Sequence, residues 1–367
     1  MATESLFKEY VDKWMDKLVL SVSNKINGKD GEPVYLHLTW LTKKYSPTLQ
    51  WEALSGNGTT VAADVVSLDS ELPLKLRDSL KTASGDVPKI GMKMYLNESQ
   101  LQNIDIMKSR GGRENEIVAA LFNDLQKCIY GVHERLEYML LQALSTGVTT
   151  IANEGADQNN TGKGIRVDYG IPSENQFTVA DLWTDVSSTP LDDIDIVLSK
   201  ASGDGVAINT VKMDRVTFNN FKKTTQVKEA YASFAVGFIG QKTAVPTLDK
   251  VNEFLLSDKG FTIEIIDRSI KIERNGVRTS VKPWEEGRVT FLTSNNVGSL
   301  VYGDLAEENH PVEGVTYTKT STFVLASKYS VTEPLQEFSR AMANVIPVLE
   351  NVDQIYILDT KTETATS

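Results

Sequence analysis

One stretch of the sequence, residues 113–147, restricts what the chain can fold into more than any other. Its apolar residues recur at steps of three and four, the spacing that places side chains on one stripe of an α-helix. The stripe runs through Ile117, Leu121, Leu125, Cys128, Val132, Leu136 and, in the next turn, Leu140 or Met139. Polar residues, Glu134 and Glu137 among them, fall on the opposite face, where we expect them to meet water. At about 1.5 Å per residue the helix is a rod of roughly 50 Å, which the rest of the chain must cover.

Both ends of this spine helix are marked in the sequence. Gly111 and Gly112 interrupt the chain before it, and the acidic Glu114 suits the positive end of a helix dipole. Thr146 and Gly147 end it. Gly131 lies inside the helix, where glycine costs about 1 kcal/mol relative to alanine. We interpret it as a tolerated glycine; the alternatives are a close neighbour or a slight bend of the helix at this position.

The charge and cysteine content exclude several classes of protein. The 367 residues carry a net charge of −11, which argues against a protein that wraps nucleic acid directly. The single cysteine, Cys128, excludes an intramolecular disulfide and any multi-cysteine metal site. We expect Cys128 to be a small buried residue of the spine helix. The N-terminal residues lack the apolar core of a signal peptide, and no stretch approaches the ~20 apolar residues of a membrane helix. We therefore expect synthesis in a reducing cytoplasm.

The sequence offers little for catalysis. Its histidines, His37, His133 and His310, have neither histidine nor cysteine at metal-ligand spacing. The sequence has no nucleophile elbow and no His-Glu-x-x-His motif. We predict no catalytic residue, no cofactor and no metal site, and we do not expect an enzyme.

The remaining segments differ in how much core they can form. In residues 1–48, Leu6, Tyr10, Trp14 and Leu18 predict a short amphipathic helix, and 34–41 reads as a strand; this arm is too small to fold alone. Residues 49–92 read as a two-stranded excursion with few large hydrophobic side chains, which is marginal by itself. Short helices and strands follow the spine helix, with Asn275-Gly276 as the clearest hairpin turn. The polar residues 361–367 are expected to be a disordered tail.

The order of these parts, with several short motifs, resembles the major capsid proteins of tailed phages and, within them, the lambda-like capsid E family. The motifs are Glu71-Leu72-Pro73-Leu74-Lys75-Leu76-Arg77, Pro88-Lys89-Ile90, Val167-Asp168-Tyr169-Gly170-Ile171-Pro172, residues 263–267 leading to Asn275-Gly276, Pro283-Trp284, residues 298–303 with Glu307-Glu308, and the closing segment from Glu333-Pro334 to Asp359. The resemblance covers nearly the whole chain in order. Each motif is weak alone, and their succession carries the resemblance.

The resemblance implies an α+β, HK97-like capsid fold. Residues 1–48 would be the N-terminal arm, and 49–92 the extended loop that lies over a neighbouring subunit, with Glu71, Lys75 and Arg77 as candidate contact residues. Residues 93–190 and 340–360 would form the peripheral domain with the spine helix, and 191–339 the axial domain. A physical argument agrees with this layout, since an arm and a loop that cannot fold alone are stabilised only in an assembly.

The function implied is that of a structural major capsid protein, which assembles as pentamers and hexamers into an icosahedral shell around double-stranded DNA. The implied partners are other copies of the chain, a separate scaffolding protein, a portal, and decoration or accessory proteins. DNA would be enclosed without sequence-specific binding. The protein would be made in the bacterial host cytoplasm and end in the virion, with no membrane involved.

Two alternatives stay open at this point. One is an encapsulin-like nanocompartment shell, which shares the fold and differs in its cargo. The other is a glycan-binding or glycan-active β-rich protein, suggested by Trp40, Trp51, Trp183 and Trp284. Against the second stand the long spine helix and the lack of an evident acid pair at a suitable spacing.

Overall fold

A computed structural model describes residues 2–28, 33–55, 81–151, 164–236, 245–274, 276–320 and 323–364 of the chain. Its contacts divide the chain into two compact units. The first unit comprises Met1–Trp51, Gly85–Met139 and Ser299–Val348. The second comprises Glu52–Ser84, Leu140–Gly298 and Leu349–Ser367. Each unit is therefore assembled from segments that are distant in the sequence.

The helices of the described residues include one far longer than the others. They are α1 (Lys8–Lys25), α2 (His37–Trp40), α3 (Glu98–Ser109), α4 (Glu114–Thr146), α5 (Pro190–Gly203), α6 (Arg215–Phe221), α7 (Thr225–Val236), α8 (Leu248–Asp258) and α9 (Ala306–Asn309). The spine helix, α4, begins and ends within one residue of the predicted bounds. Two of the others start at a side-chain cap: Asn97 and Gln100 form a capping box at α3, and Asp214 accepts backbone hydrogen bonds at the start of α6.

The strands are mostly short. They are β1 (Leu41–Tyr45), β2 (Gln50–Ser55), β3 (Lys81–Asp86), β4 (Lys89–Leu96), β5 (Val148–Ile151), β6 (Ile165–Asp168), β7 (Gln176–Val179), β8 (Thr210–Met213), β9 (Thr262–Ile265), β10 (Ile270–Arg274), β11 (Val277–Val281), β12 (Arg288–Leu292), β13 (Gly298–Gly303), β14 (Thr316–Lys319), β15 (Leu325–Thr332), β16 (Leu335–Leu349) and β17 (Tyr356–Glu363). β2 pairs with β3, and β5 with β6.

The first unit is built on a six-stranded sheet in the order β1-β13-β16-β15-β14, with β4 also paired to the long strand β16. β15 and β4 both run antiparallel to β16. The spine helix lies against one face of this sheet, because the Cys128 thiol donates to the Ser339 carbonyl at 3.4 Å and the Lys328 ammonium donates to the Leu121 carbonyl at 3.0 Å.

The second unit has a five-stranded sheet in the order β7-β17-β12-β8-β9. The outer pairs, β7 with β17 and β8 with β9, are parallel, and the inner pairs are antiparallel. Apolar side chains from this sheet pack with those of α5, α6, α7 and α8 into one buried cluster. The predicted hairpin is β10 with β11, in which Arg274 pairs with Val277 and Gly276 has a positive φ of 74°; Asn275 lies outside the described residues.

The N-terminal helix forms as expected, although it buries a different stripe from the predicted one. Phe7 at the N-cap, Val11, Met15 and Val19 are buried, each one position after a member of the predicted series, and Val22 continues the buried stripe. Leu6 is 47% exposed. The prediction placed leucine, tyrosine and tryptophan on the buried stripe, whereas the helix itself buries three valines and a methionine.

Two other segments also differ from their predictions. Residues 34–41, read as a strand, contain the short helix α2 (His37–Trp40) before β1 begins. Lys361 to Glu363, placed in the disordered tail 361–367, instead extend β17: Glu363 pairs with Val179, and Thr364 donates to the Val179 carbonyl. Alternating threonines suit a strand, and pairing with β7 satisfies their backbone groups. Residues 365–367 lie outside the described residues.

The compact units also differ from the domain boundaries taken from the resemblance. Residues 299–339, expected in the axial domain, contain β14 and β15, which pair within the sheet of the first unit. β15 pairs with β16 through a short turn in one sheet, and the predicted boundary at 339/340 therefore falls inside β16.

Candidate assembly surfaces

The predicted stripe of the spine helix is buried along its whole length. Its seven residues, Ile117, Leu121, Leu125, Cys128, Val132, Leu136 and Leu140, are each at most 2% exposed, and Met139, the alternative to Leu140, is 0% exposed. Loss of water around Cys128 raises the pKa of its thiol to about 12. The thiol is therefore protonated and unreactive, as expected of a packing residue.

One residue of the predicted polar face, Glu137, is completely buried. Its carboxylate accepts hydrogen bonds from the backbone amides of Leu36 and His37, at 3.0 and 3.1 Å, and it lies 2.8 Å from His37 Nδ1. The expectation that Glu137 meets water is therefore wrong. The sequence pattern missed this burial because Glu137 lies off the apolar stripe of the spine helix. The element that covers it, α2, comes from a distant part of the chain.

A second histidine completes this group, which we call the histidine junction (His37, His133, Glu137). His37 Nε2 lies 3.1 Å from His133 Nδ1, and both rings are buried. The His37 ring thus bridges the Glu137 carboxylate and His133, with the donor and acceptor roles of its two nitrogens set by the ring tautomers. Burial lowers the pKa of His133 to about 3, with further contributions from the charges of His37 and Lys43. The junction fastens α2 to the spine helix and favours the uncharged form of His133.

A second buried polar group, the arm anchor (Ser5, Leu6, Lys328, Glu337), holds the start of the chain. The Ser5 hydroxyl and the Leu6 amide donate to the Glu337 carboxylate, the latter at 3.1 Å. Lys328 Nζ lies 3.7 Å from that carboxylate, and both side chains are 0% exposed. Thr3 and Ser330 exchange backbone hydrogen bonds next to it. The N-terminal end of the arm is therefore held by hydrogen bonds to a buried ion pair.

The arm anchor also reaches the spine helix. Lys328 Nζ donates to the Leu121 carbonyl at 3.0 Å and to the Ser339 hydroxyl at 3.1 Å, and it lies over the Phe122 ring. Burial lowers the pKa of Lys328 and raises the pKa of Glu337, and the charge of each partner opposes the shift of the other. Sequence reasoning missed this pair, although a lysine amid the apolar and small residues 323–331 was a usable signal.

Two other groups of predicted residues are the three loop contacts and the four tryptophans. Glu71, Lys75 and Arg77 lie outside the described residues. The four tryptophans behind the glycan alternative, Trp40, Trp51, Trp183 and Trp284, are each at most 4% exposed, so none forms an open sugar platform.

The part of the chain that the structure describes offers neither a metal site nor a membrane-spanning helix. There, no three side chains of histidine, cysteine, aspartate or glutamate are arranged to hold a metal ion; in the histidine junction both His37 nitrogens are used in hydrogen bonds. Within the described ranges, no helix combines the length and apolar character that crossing a membrane requires.

The order of the elements, with a spine helix packed on a sheet that contains one long strand, is consistent with the family whose model the sequence matches. The model of the phage major capsid protein E family matches residues 36–359. The chain belongs to this family. It is a structural capsid protein of a tailed phage, a component of the virion, and not an enzyme.

Solved structures support the fold. A protein described as a prophage capsid protein of E. coli CFT073 is similar at 13% sequence identity, with a TM-score of 0.55, over 98% of this chain and 99% of that one. A phage-related protein from Bordetella bronchiseptica RB50 is similar at 8% identity, with a TM-score of 0.50 and the same coverage. No curated protein sequence matches the chain. The capsid protein thus has the HK97-like fold, and neither the nanocompartment nor the glycan alternative is favoured.

Proposed function

We propose that this capsid protein assembles into pentamers and hexamers that close into an icosahedral shell around a double-stranded DNA genome. The observation that carries the proposal is the family match over residues 36–359. A closed shell of identical chains needs head-to-tail contacts that rotate into rings, and segments that fold poorly alone are suited to make them.

The loop between β2 and β3 is our candidate for such a contact. β2 and β3 pair only with each other among the described strands, and a two-stranded sheet is marginally stable by itself. We place the central part of residues 49–92 over a neighbouring subunit, with Glu71, Lys75 and Arg77 at the contact; residues 89–92 are left out, since they pair with β16 in the first unit's sheet. The arm, residues 1–48, is held within its own unit by the arm anchor. We expect the exposed side of its helix α1 to contact a neighbouring subunit.

For the domains, we propose that the unit with residues 114–139 of the spine helix acts as the peripheral domain and that residues 191–298 of the other unit supply the axial domain. This keeps residues 191–298 of the predicted axial domain and assigns 299–339 to the peripheral one. In this role the second unit meets its copies around the five-fold and six-fold axes.

The partners beyond the chain itself are a separate scaffolding protein, a portal, and decoration or accessory proteins. The net charge of −11 suits a container that encloses DNA without adhering to it, because like charges repel at short range. Assembly would take place in the bacterial host cytoplasm.

The test is expression of the chain alone, followed by size-exclusion chromatography with light scattering and negative-stain microscopy. Closed shells, pentamers or hexamers support the proposal. A monomer is followed by co-expression with the scaffolding protein of the same phage, which should then yield particles. A monomer under both conditions contradicts the proposal.

The loop assignment has its own test. Replacement of residues 56–80 by a short Gly-Ser linker should leave a folded subunit that forms no closed shell. Deletion of residues 365–367 is the control and should leave assembly unchanged. Particles of normal size and yield from the linker variant would refute the assignment.

A further inference from the structure

The face of the first unit's sheet that points away from the spine helix carries a row of aromatic rings. Ser339 and Lys328 contact the helix, so the alternating residues Phe338 and Tyr329 lie on the other face. Phe338 stands opposite Tyr95 on β4 and opposite Tyr329 on β15. The ring centroids are 5.6 and 5.2 Å apart. Tyr95 is 52% exposed, so the row is open at the β4 end.

Two cations flank this row. Lys93 and Arg340 stand opposite each other in the register of β4 and β16. Lys93 Nζ lies 5.5 Å from the centre of the Phe338 ring, and the Arg340 guanidinium lies 5.8 Å from that of Tyr329. Arg340 Nε also donates to the Ser327 hydroxyl at 2.9 Å. Within the described residues, neither cation has a carboxylate oxygen within 4 Å. We call these five residues the aromatic–cationic strip: Tyr95, Phe338, Tyr329, Lys93 and Arg340.

The adjoining part of the same face is already covered by the chain's own acidic segment, residues 304–308. Leu305 packs on Leu325 and Met342 of the sheet and on Tyr317. Glu307 pairs with Lys89 at 2.8 Å, and Glu308 pairs with Lys319 at 2.5 Å. Here the chain covers a sheet face of cations and apolar side chains with one of its own segments, which carries carboxylates and a leucine.

The strip continues this chemistry along the same strands, and in the described part of the chain its Lys93 and Tyr95 are exposed while its other three members are partly buried. Lys93 follows Lys89 on β4 at the same side of the strand, and Arg340 precedes Met342 on β16 in the same way. Cations held over aromatic rings are already oriented, and a guanidinium binds a carboxylate through two parallel hydrogen bonds. A surface of this kind fits an acidic segment with at least one apolar side chain.

We propose that the aromatic–cationic strip binds an acidic segment of a second copy of this chain, in a contact that repeats the cover made by residues 304–308. The inference rests on the proposed self-assembly and names a contact within it. A subunit with a net charge of −11 presents carboxylates in excess, so another copy is an abundant source of the required chemistry. Two cations are few for a nucleic-acid backbone, which is neutralised by many contacts.

Charge reversal tests the contact. The variant Lys93→Glu with Arg340→Glu should lower the yield of particles at least tenfold under the conditions that assemble the wild type. The matched control is Lys108→Glu with Arg110→Glu, an exposed lysine and arginine of the same unit, since Lys108 also lies over an aromatic ring, that of Tyr10. Both double variants carry the same net charge, so general repulsion between subunits is equal. Wild-type yield from the strip variant, or an equal loss in the control, would overturn the proposal.

A second measurement needs no variant and applies even where charge reversal prevents folding. Wild-type particles are treated with a carbodiimide, which joins lysine amines to carboxylates in direct contact, and the products are separated under denaturing conditions. We expect dimers joined between Lys93 and an aspartate or glutamate, formed less in high salt because screening weakens the contact. Cross-linked dimers without Lys93 contradict the proposal.

Two further outcomes separate the alternatives. If Lys93 is protected from acetylation in DNA-filled particles and remains reactive in empty ones, a nucleic acid occupies the strip and the proposal is wrong. If wild-type chain forms no particle with the assembly proteins of its phage, the proposed function fails and this contact fails with it. Normal wild-type particles with a reactive Lys93 reject the contact alone.

Discussion

The two units handle buried charge in different ways. In the first, Lys328 and Glu337 are both 0% exposed, and each depends on the other for compensation. In the second, the buried Lys212 reaches Glu264, whose side chain is 40% exposed, and the Asn295 amide. The first pair is enclosed, whereas the second opens to water through its acid, as long amphipathic side chains commonly do.

This difference has a consequence for tolerance to substitution. An enclosed ion pair adds little net stability, but removal of one partner leaves an uncompensated buried charge. An acid at the surface is hydrated when its lysine is removed. The first unit, which uses such groups to hold the arm and α2 on the spine helix, should therefore be the less tolerant of change at its buried polar positions.

The largest effect expected is that of Lys328→Met, which keeps the volume and removes the charge. We expect it to lower the free energy of unfolding by about 3–5 kcal/mol, since Glu337 stays buried without its partner. Lys212→Met is the matched control and should lower it by about 1 kcal/mol or less, because Glu264 remains hydrated. Urea denaturation of the dissociated subunits measures both. Equal losses in the two variants would remove the distinction between the units.

The histidine junction predicts a loss of stability in acid. The folded pKa of His133, about 3, lies below the ordinary value of 6.5, so the unfolded chain binds the proton more readily between these values. Stability from this site is full above pH 6.5 and is lost as the pH falls toward 3, by roughly 1.4 kcal/mol per pH unit, or about 3 kcal/mol at pH 4. His133→Gln removes the titration and should flatten the pH dependence of unfolding over this window. An unchanged slope in that variant would show that other groups cause the acid sensitivity.

Packing in the first unit can be tested at two glycines. A Cβ on Gly303 would lie 2.6 Å from the Ser46 carbonyl oxygen and 2.4 Å from Leu49 Cδ2, so Gly303→Ala should lower the free energy of unfolding by about 1–3 kcal/mol. A Cβ on Gly131 would meet the Met92 sulfur at 2.1 Å, but that sulfur ends a flexible, partly exposed side chain. Gly131→Ala also gains about 1 kcal/mol of helix propensity, so its net change should be near zero. Thermal unfolding of both variants separates a clash with backbone from one with a movable side chain.

A small effect is expected in the apolar core of the second unit. Ile194 is 0% exposed within the cluster between α5 and the five-stranded sheet. Ile194→Val removes one methyl group and should lower the free energy of unfolding by about 0.5–1.5 kcal/mol, without a pH dependence. Loss above 3 kcal/mol in urea denaturation would indicate that this core is as intolerant as the polar groups of the first unit.

Sequence patterns predicted what depends on local periodicity. The spine helix spans Glu114–Thr146 against a predicted 113–147, and its whole predicted stripe is buried. The hairpin of β10 and β11 follows from a two-residue turn. The N-terminal helix was predicted with the wrong stripe, because apolar and aromatic residues occupy two neighbouring stripes and only packing selects one.

The same patterns could not find the buried polar groups. Glu137 and His133 lie on a helix face that periodicity alone assigns to water or leaves undecided, and they are buried because α2, about a hundred residues earlier in the chain, packs over them. Glu337 and Lys328 are joined to Ser5 and Leu121 across even longer separations. A single sequence carries no record of such pairings.

The sequence by itself thus determined the long spine helix, the positions of several turns and strands, the exclusion of disulfide frameworks, and, through the order of its motifs, the resemblance to tailed-phage capsid proteins. Only the tertiary structure decided which strands share a sheet, which stripe of α1 is buried, and where charge lies inside the protein. The physical reason is range. Helix periodicity and turn geometry act over a few residues, whereas burial of a charged group depends on a partner that the folded chain brings from far away.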